Sequence, residues 1–321
     1  QIFPRFKFLS DLQLVSIISN SRTPSVTKGL FSLMYPAIKE AIIEDEQFCV
    51  GFKSFDDEIF LFNEKIWIYH NCVEKWHLLF DQQISITMKQ HLRNLLDQPP
   101  LDSDKLIQQY PSQIANLYTE ILFTSMITKS YETIENVLNK RKEESFDEHF
   151  PNILNRINLQ IKLLNQVFIN NFNPKVSILL IILNNQKNLL LKILNERLMS
   201  SASNCWISFP KYFADNDTNV TVSIGSVVMN YGFDYLGISS LPLYGDNQFI
   251  CNSLSLLIDS GFTPLICGSR KIRKTNLIFN FAHMLGKQPF VFPCVSHSSF
   301  ERIKQMIEDV QKVNSFLVIK G

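Results

Sequence analysis

The sequence is short of several features, and each shortage removes a class of function. Charge imbalance is almost absent: 31 basic against 30 acidic residues in 321 leave a formal net charge of +1. No global field therefore favours nucleic acid or an anionic membrane surface. Charged residues make up only 19% of the chain, below the roughly 25% of average proteins. None of the six cysteines, Cys49, Cys72, Cys205, Cys251, Cys267 and Cys294, belongs to a Cys-x-x-Cys pair. That scatter argues against a disulfide framework or a zinc site and predicts buried, reduced thiols in an intracellular protein. The six histidines have no acidic or cysteine partner at metal-ligand spacing, so core or surface positions are expected for each. No apolar run reaches the length of a membrane span. The most apolar, Val176 to Leu183, gives way to Asn184-Asn185-Gln186-Lys187. Sequons at Asn216 and Asn219 would matter only in a secreted chain. The opening Gln1-Ile2-Phe3-Pro4-Arg5 is neither a signal peptide nor an initiator and reads as part of something longer.

What is present is apolar mass with strong periodicity. The chain is 45% hydrophobic and 12% aromatic, enough for a sizeable core and two domains. Ser10-Asp11 is a helix N-cap pair followed by Leu12, Leu14, Val15 and Ile18 at helical spacing. Thr23-Pro24-Ser25 restarts a helix expected to carry Val26, Leu30, Leu33, Met34 and Ile38 on one face. Residues 48–68 alternate and predict short strands or a hairpin. Helical period returns from Val73 to Leu96, with Trp76 in its apolar stripe, and Pro99-Pro100 closes it. A further helix is predicted from about Pro111 to Leu138, then two between Pro151 and Leu198, divided at Asn173-Pro174. The charged stretch Lys140 to Glu148 is expected to be a solvated helix end or connection. Trp76 and Trp206 are expected to pack against helices and not to stack on a ligand.

Near residue 205 the character changes. Segments shorten, and Val220 to Ile224 alternates as a strand does. From Leu254 the order is helix, strand (Thr263 to Cys267), loop, helix (Lys274 to Leu285), strand (Pro289 to Pro293), helix (Phe300 to Val310), strand (Phe316 to Ile319). This βαβαβ order predicts a parallel sheet with crossover helices. Between the first strand and its helix lies "ICGSRKIRKTNL", residues 266–277, where a phosphate-binding loop belongs. Gly268, Lys274 and Thr275 stand at the first glycine, lysine and threonine of Gly-x-x-x-x-Gly-Lys-Thr, and Arg273 replaces the second glycine. In a working loop the backbone N–H groups wrap the phosphates, the lysine reaches the β- and γ-phosphates, and the hydroxyl ligates magnesium. Arg270, Lys271, Arg273 and Lys274 would still attract a polyphosphate. Equally, one of them could pair with a local carboxylate and plug the site.

Loop and context together resemble the dynein heavy chain family, from the second half of its linker into its first AAA+ module. The resemblance rests on "FPRFKFLSD" (3–11), "VEKWHLLF" (73–80), "YPSQIANL" (110–117), "YGFDYLG" (231–237) and "LGKQPFVFPC" (285–294), in the family's order. It implies a mainly α, elongated helical linker over 1–228. An α/β P-loop subdomain over 229–321 follows, incomplete at its C-terminus. The implied cofactor is ATP or ADP with magnesium, with Thr275 a metal ligand only if magnesium nucleotide binds.

The departures from the family pattern are informative. Members carry Gly-Pro-Ala-Gly-Thr-Gly-Lys-Thr in the loop, and their adenine-side Leu-Val-Ile-Thr-Pro-Leu-Thr-Asp-Arg is here "LPLYGDNQF" (241–249). The strand that should end in Cys-Phe-Asp-Glu is "LVIKG" (317–321), so Lys320 and Gly321 occupy the magnesium-binding and catalytic acid positions. Lysine cannot ligate a cation and glycine cannot polarise water, so hydrolysis at this module is expected to be absent. The implied partners are the remaining AAA+ modules of the ring, other dynein subunits, and microtubules through regions outside this sequence, with no nucleic acid and no membrane. The implied location is cytoplasm and cytoskeleton, or an axoneme. Two other functions remain open from the sequence: a competent motor ATPase supported by this or later modules, and a small P-loop phosphotransferase, against which the long helical leader argues.

Overall fold

The computed structural model describes residues 3–20, 28–68, 72–137, 141–170, 172–238, 248–269, 273–294, 300–313 and 315–320. The chain is mainly helical, with three small sheets among the described residues. It divides into two units, neither continuous in sequence: Gln1–His91 with Gly232–Ser240 and Ala282–Gly321, and Leu92–Tyr231 with Leu241–Phe281.

The first unit opens with a 3-10 helix, Pro4–Phe8, and α1, Asp11–Ser19. The expected cap of α1 is present as a capping box, with Ser10 and Gln13 bonding reciprocally. Helix α2 covers Lys28–Met34 and stops there. The sequence expectation carried this helix to Ile38, but Pro36 disfavours helical backbone at Tyr35. Ile38 instead opens β1 (Ile38–Glu44), which pairs antiparallel with β2 (Phe48–Ser54), itself paired with β3 (Ile59–Trp67). Asp45 and Glu46, joining β1 to β2, both take positive φ (51° and 56°), the backbone of a type I′ turn without its usual Asn-Gly. Helix α3, Val73–Leu96, has the predicted bounds. Phe31, Phe52, Phe60 and Phe80 form the buried aromatic centre of this unit, and Trp76 is 2% exposed beside them.

In the second unit α4 (Ser103–Gln109) precedes α5 (Ser112–Asn136), α6 (Lys142–Asn170) and α7 (Pro174–Asn195). Helix α6 was expected to begin at Pro151, yet it runs straight through that proline. An interior proline costs about 3 kcal/mol. The turns before it bury Phe146 and Phe150 against the core that contains Tyr131, and that burial outweighs the penalty. The membrane expectation also needs correction. By length and composition alone α7 could cross a bilayer. Its apolar residues, Val176, Leu179, Leu183, Leu190 and Ile193 among them, lie buried in the same core. A short helix α8 (Asn204–Ile207) places Trp206 there too, 4% exposed. Both tryptophans are thus packed as expected. A meander of β4 (Lys211–Ala214), β5 (Val220–Ile224) and β6 (Val227–Asn230) follows, with α9 (Gln248–Asp259) against β5 and β6.

Helix α10 covers Lys274–Met284. Strands β7 (Pro289–Pro293) and β8 (Phe316–Lys320), linked by α11 (Phe300–Val313), form one parallel pair in the first unit. The predicted strand at 263–267 does not form: residues 262–269 carry no regular structure, and Leu265 is 86% exposed. Pro264 supplies no N–H to a ladder. The expected βαβαβ series is therefore reduced to β7–α11–β8. The thiols also depart from expectation, since only Cys49 and Cys251 are buried while Cys72, Cys267 and Cys294 are exposed.

Candidate functional site

The loop that the sequence singles out lies in the second unit. Residues 270–272 are outside the described residues. Gly268 and Ser269 are exposed, as is Arg273, and Lys274 and Thr275 are half-buried at the start of α10. Arg273 takes φ 48°, left-handed backbone at the position where the motif has glycine. Its carbonyl accepts the N–H groups of Asn276 and Leu277 at 3.0 and 3.3 Å and so starts the helix. The backbone thus takes a glycine-like conformation at a residue that carries a side chain. Left-handed backbone costs a residue with a Cβ about 1–2 kcal/mol, and glycine's greater freedom in the unfolded chain returns part of that. Arg273→Gly is accordingly expected to raise the unfolding free energy by about 0.5–1 kcal/mol in urea denaturation. A loss of stability would show that the guanidinium makes a contact worth more than the strain.

The lysine is turned inward. Lys274 Nζ donates to the carbonyl of Gly268 at 2.6 Å and to that of Ser269 at 3.0 Å. An ammonium has three donors, so two of them close the loop on itself. A polyphosphate would have to break both contacts to recruit this charge.

Lys320, the first of the two residues at which the resemblance implies acids, ends β8 in the first unit. Lys320 is exposed, pairs in register with Pro293, and accepts the N–H of Cys294 through its carbonyl at 2.8 Å. Gly321 lies outside the described residues, as do residues 241–247 of the adenine-side stretch. Among the described residues no group of three His, Cys, Asp or Glu side chains converges as a metal site. Among the described residues of the loop itself, Thr275 offers a magnesium ion one hydroxyl and no carboxylate.

A second constellation, in the first unit, escaped the sequence reasoning. Arg5 is 2% exposed. Its Nη2 donates to Asp81 Oδ1 at 3.0 Å and to Asp234 Oδ1 at 3.1 Å, and its Nη1 to the Met34 carbonyl at 3.4 Å. Its guanidinium also lies over the rings of Tyr35 and Phe290, at 4.8 and 5.8 Å from their centroids. Burial opposes its charge, but Asp81 and Asp234 outweigh that and hold its pKa above the ordinary value. Burial pushes the Asp234 carboxyl up, and Arg5 pulls it back. The second oxygen of Asp234 accepts the Gln288 N–H at 2.7 Å.

Three of the sequence stretches that carried the resemblance meet at this cluster. Gly232 N–H donates to the Leu285 carbonyl and Asp234 N–H to that of Gly286, both at 2.9 Å, so 232–234 runs along 285–288. Gly232 has no room for a side chain, since a Cβ there would lie 2.8 Å from the Gly286 carbonyl oxygen. Phe8 stacks on Phe290 with centroids 3.8 Å apart. Tyr235 donates to Glu58 Oε2 at 2.6 Å and fixes the same segment to the turn between β2 and β3. The signal was available in the sequence: Arg5 between Pro4 and Phe6, and Asp234 between Phe233 and Tyr235, are charges set in apolar runs.

Comparison with known proteins agrees with this collinearity. Residues 1–95 match the family model for dynein heavy chain, N-terminal region 2. Over 98% of its length the chain is 23% identical to the cytoplasmic dynein heavy chain of Saccharomyces cerevisiae. It is also 23% identical, over 98%, to human dynein axonemal heavy chain 2, and 20% identical, over 98%, to dynein heavy chain-like protein 1 of Plasmodium falciparum. The chain spans only 7 to 8% of the length of these relatives. The chain is thus similar to dynein heavy chains over nearly all of its length, and three of the stretches that carry the similarity meet at one buried arginine.

Proposed function

We propose that this chain is the C-terminal half of a dynein linker joined to the start of a first AAA+ module that has lost ATP hydrolysis, and that it serves microtubule-based movement mechanically. The observation that carries the proposal is the state of the loop: Lys274 is bonded to the carbonyls of Gly268 and Ser269. By collinear spacing, Lys320 and Gly321 stand where the acids of a working site would be. Magnesium binding and water activation both need those carboxylates. A linker does not, because its task is to transmit displacement through packed helices. Its proposed partners are the other modules of an AAA+ ring and other dynein subunits, with microtubules reached through regions outside this chain. Cytoplasmic and axonemal dyneins are both among the relatives, and the proposed location is accordingly the cytoskeleton, cytoplasmic or ciliary.

The test is magnesium-dependent ATP hydrolysis by a heavy-chain ring carrying this segment, with the remaining modules silenced. Such a ring is expected to show no turnover above that of a Lys274→Ala control. Arg273→Gly alone is expected to leave turnover absent. Turnover that Lys274→Ala abolishes would favour the other function, a competent motor ATPase.

A further inference from the structure

We draw no further inference here: the strongest candidate, the apolar outer face of the β1–β2–β3 sheet, where exposed Ile59 and Leu61 alternate with buried Phe60, carries nothing because nothing in the structure shows what covers it.

Discussion

Replacing Arg5 by methionine is expected to lower the unfolding free energy by about 3–5 kcal/mol, the usual cost of removing one partner from a buried ion pair. Methionine fills similar volume, so the loss is electrostatic and not a cavity effect. What remains is Asp234, largely shielded from water and deprived of its cation, with the half-buried Asp81 beside it. The triple variant Arg5→Met, Asp81→Asn, Asp234→Asn is therefore expected to recover about 1–2 kcal/mol of that loss. Urea denaturation of the chain and both variants measures this directly. A loss below about 1 kcal/mol for Arg5→Met would place the cluster among weak surface pairs and remove it as the fastening of residues 3–8, 81, 234 and 288–290.

Acid is expected to destabilise the protein well before its carboxylates titrate. His77 is 1% exposed, lies against Trp76 with ring centroids 3.9 Å apart, and has no hydrogen-bond partner on either ring nitrogen among the described residues. Burial pulls its pKa down to about 3 and that of His283 down to about 4, from 6.5. Between those values and 6.5 the unfolded chain holds protons that the folded chain refuses, so stability rises with pH and falls on acidification. Each histidine costs about 1.4 kcal/mol per pH unit below 6.5, or about 4 kcal/mol for the pair at pH 5. Asp234 acts in the opposite sense, because its raised pKa adds stability as pH falls through the carboxylate range, and it softens the low end of the curve. Urea midpoints at pH 7 and pH 5 read the effect, and His77→Phe is expected to remove about half of it. Equal midpoints at the two pH values would mean that both imidazoles reach water in the folded state.

Helices were the most legible part of the sequence. The apolar stripe of Val73 to Leu96 is long enough that period alone fixed α3, and Asn173-Pro174 marked the start of α7. Shorter segments yielded less. Ile38-Lys39-Glu40-Ala41 has helical composition, and only Pro36 and the meander it pairs with make it a strand. Pro151 signalled a helix start that the burial of Phe146 and Phe150 overrode. Thr263 to Cys267 has the look of a strand, but a strand exists only with a hydrogen-bonded neighbour. The loop residues could be named from their order, yet not the inward turn of Lys274 or the positive φ of Arg273, which are properties of geometry. The Arg5 cluster joins positions more than 200 residues apart, and no local pattern encodes such a meeting.

On the proposed function, this loop has no magnesium chemistry. The most direct test is titration of a fluorescent ADP analogue into the chain, with magnesium present and again after its removal by chelator. The two curves are expected to coincide, whether they show binding or none, because on that proposal Lys320 and Gly321 stand, by collinear spacing, where the ion's carboxylates would be. Arg273→Gly, Lys320→Asp, Gly321→Glu is the reference, in which a magnesium effect is expected to return. A tenfold or greater gain in affinity with magnesium in the unsubstituted chain would contradict the account.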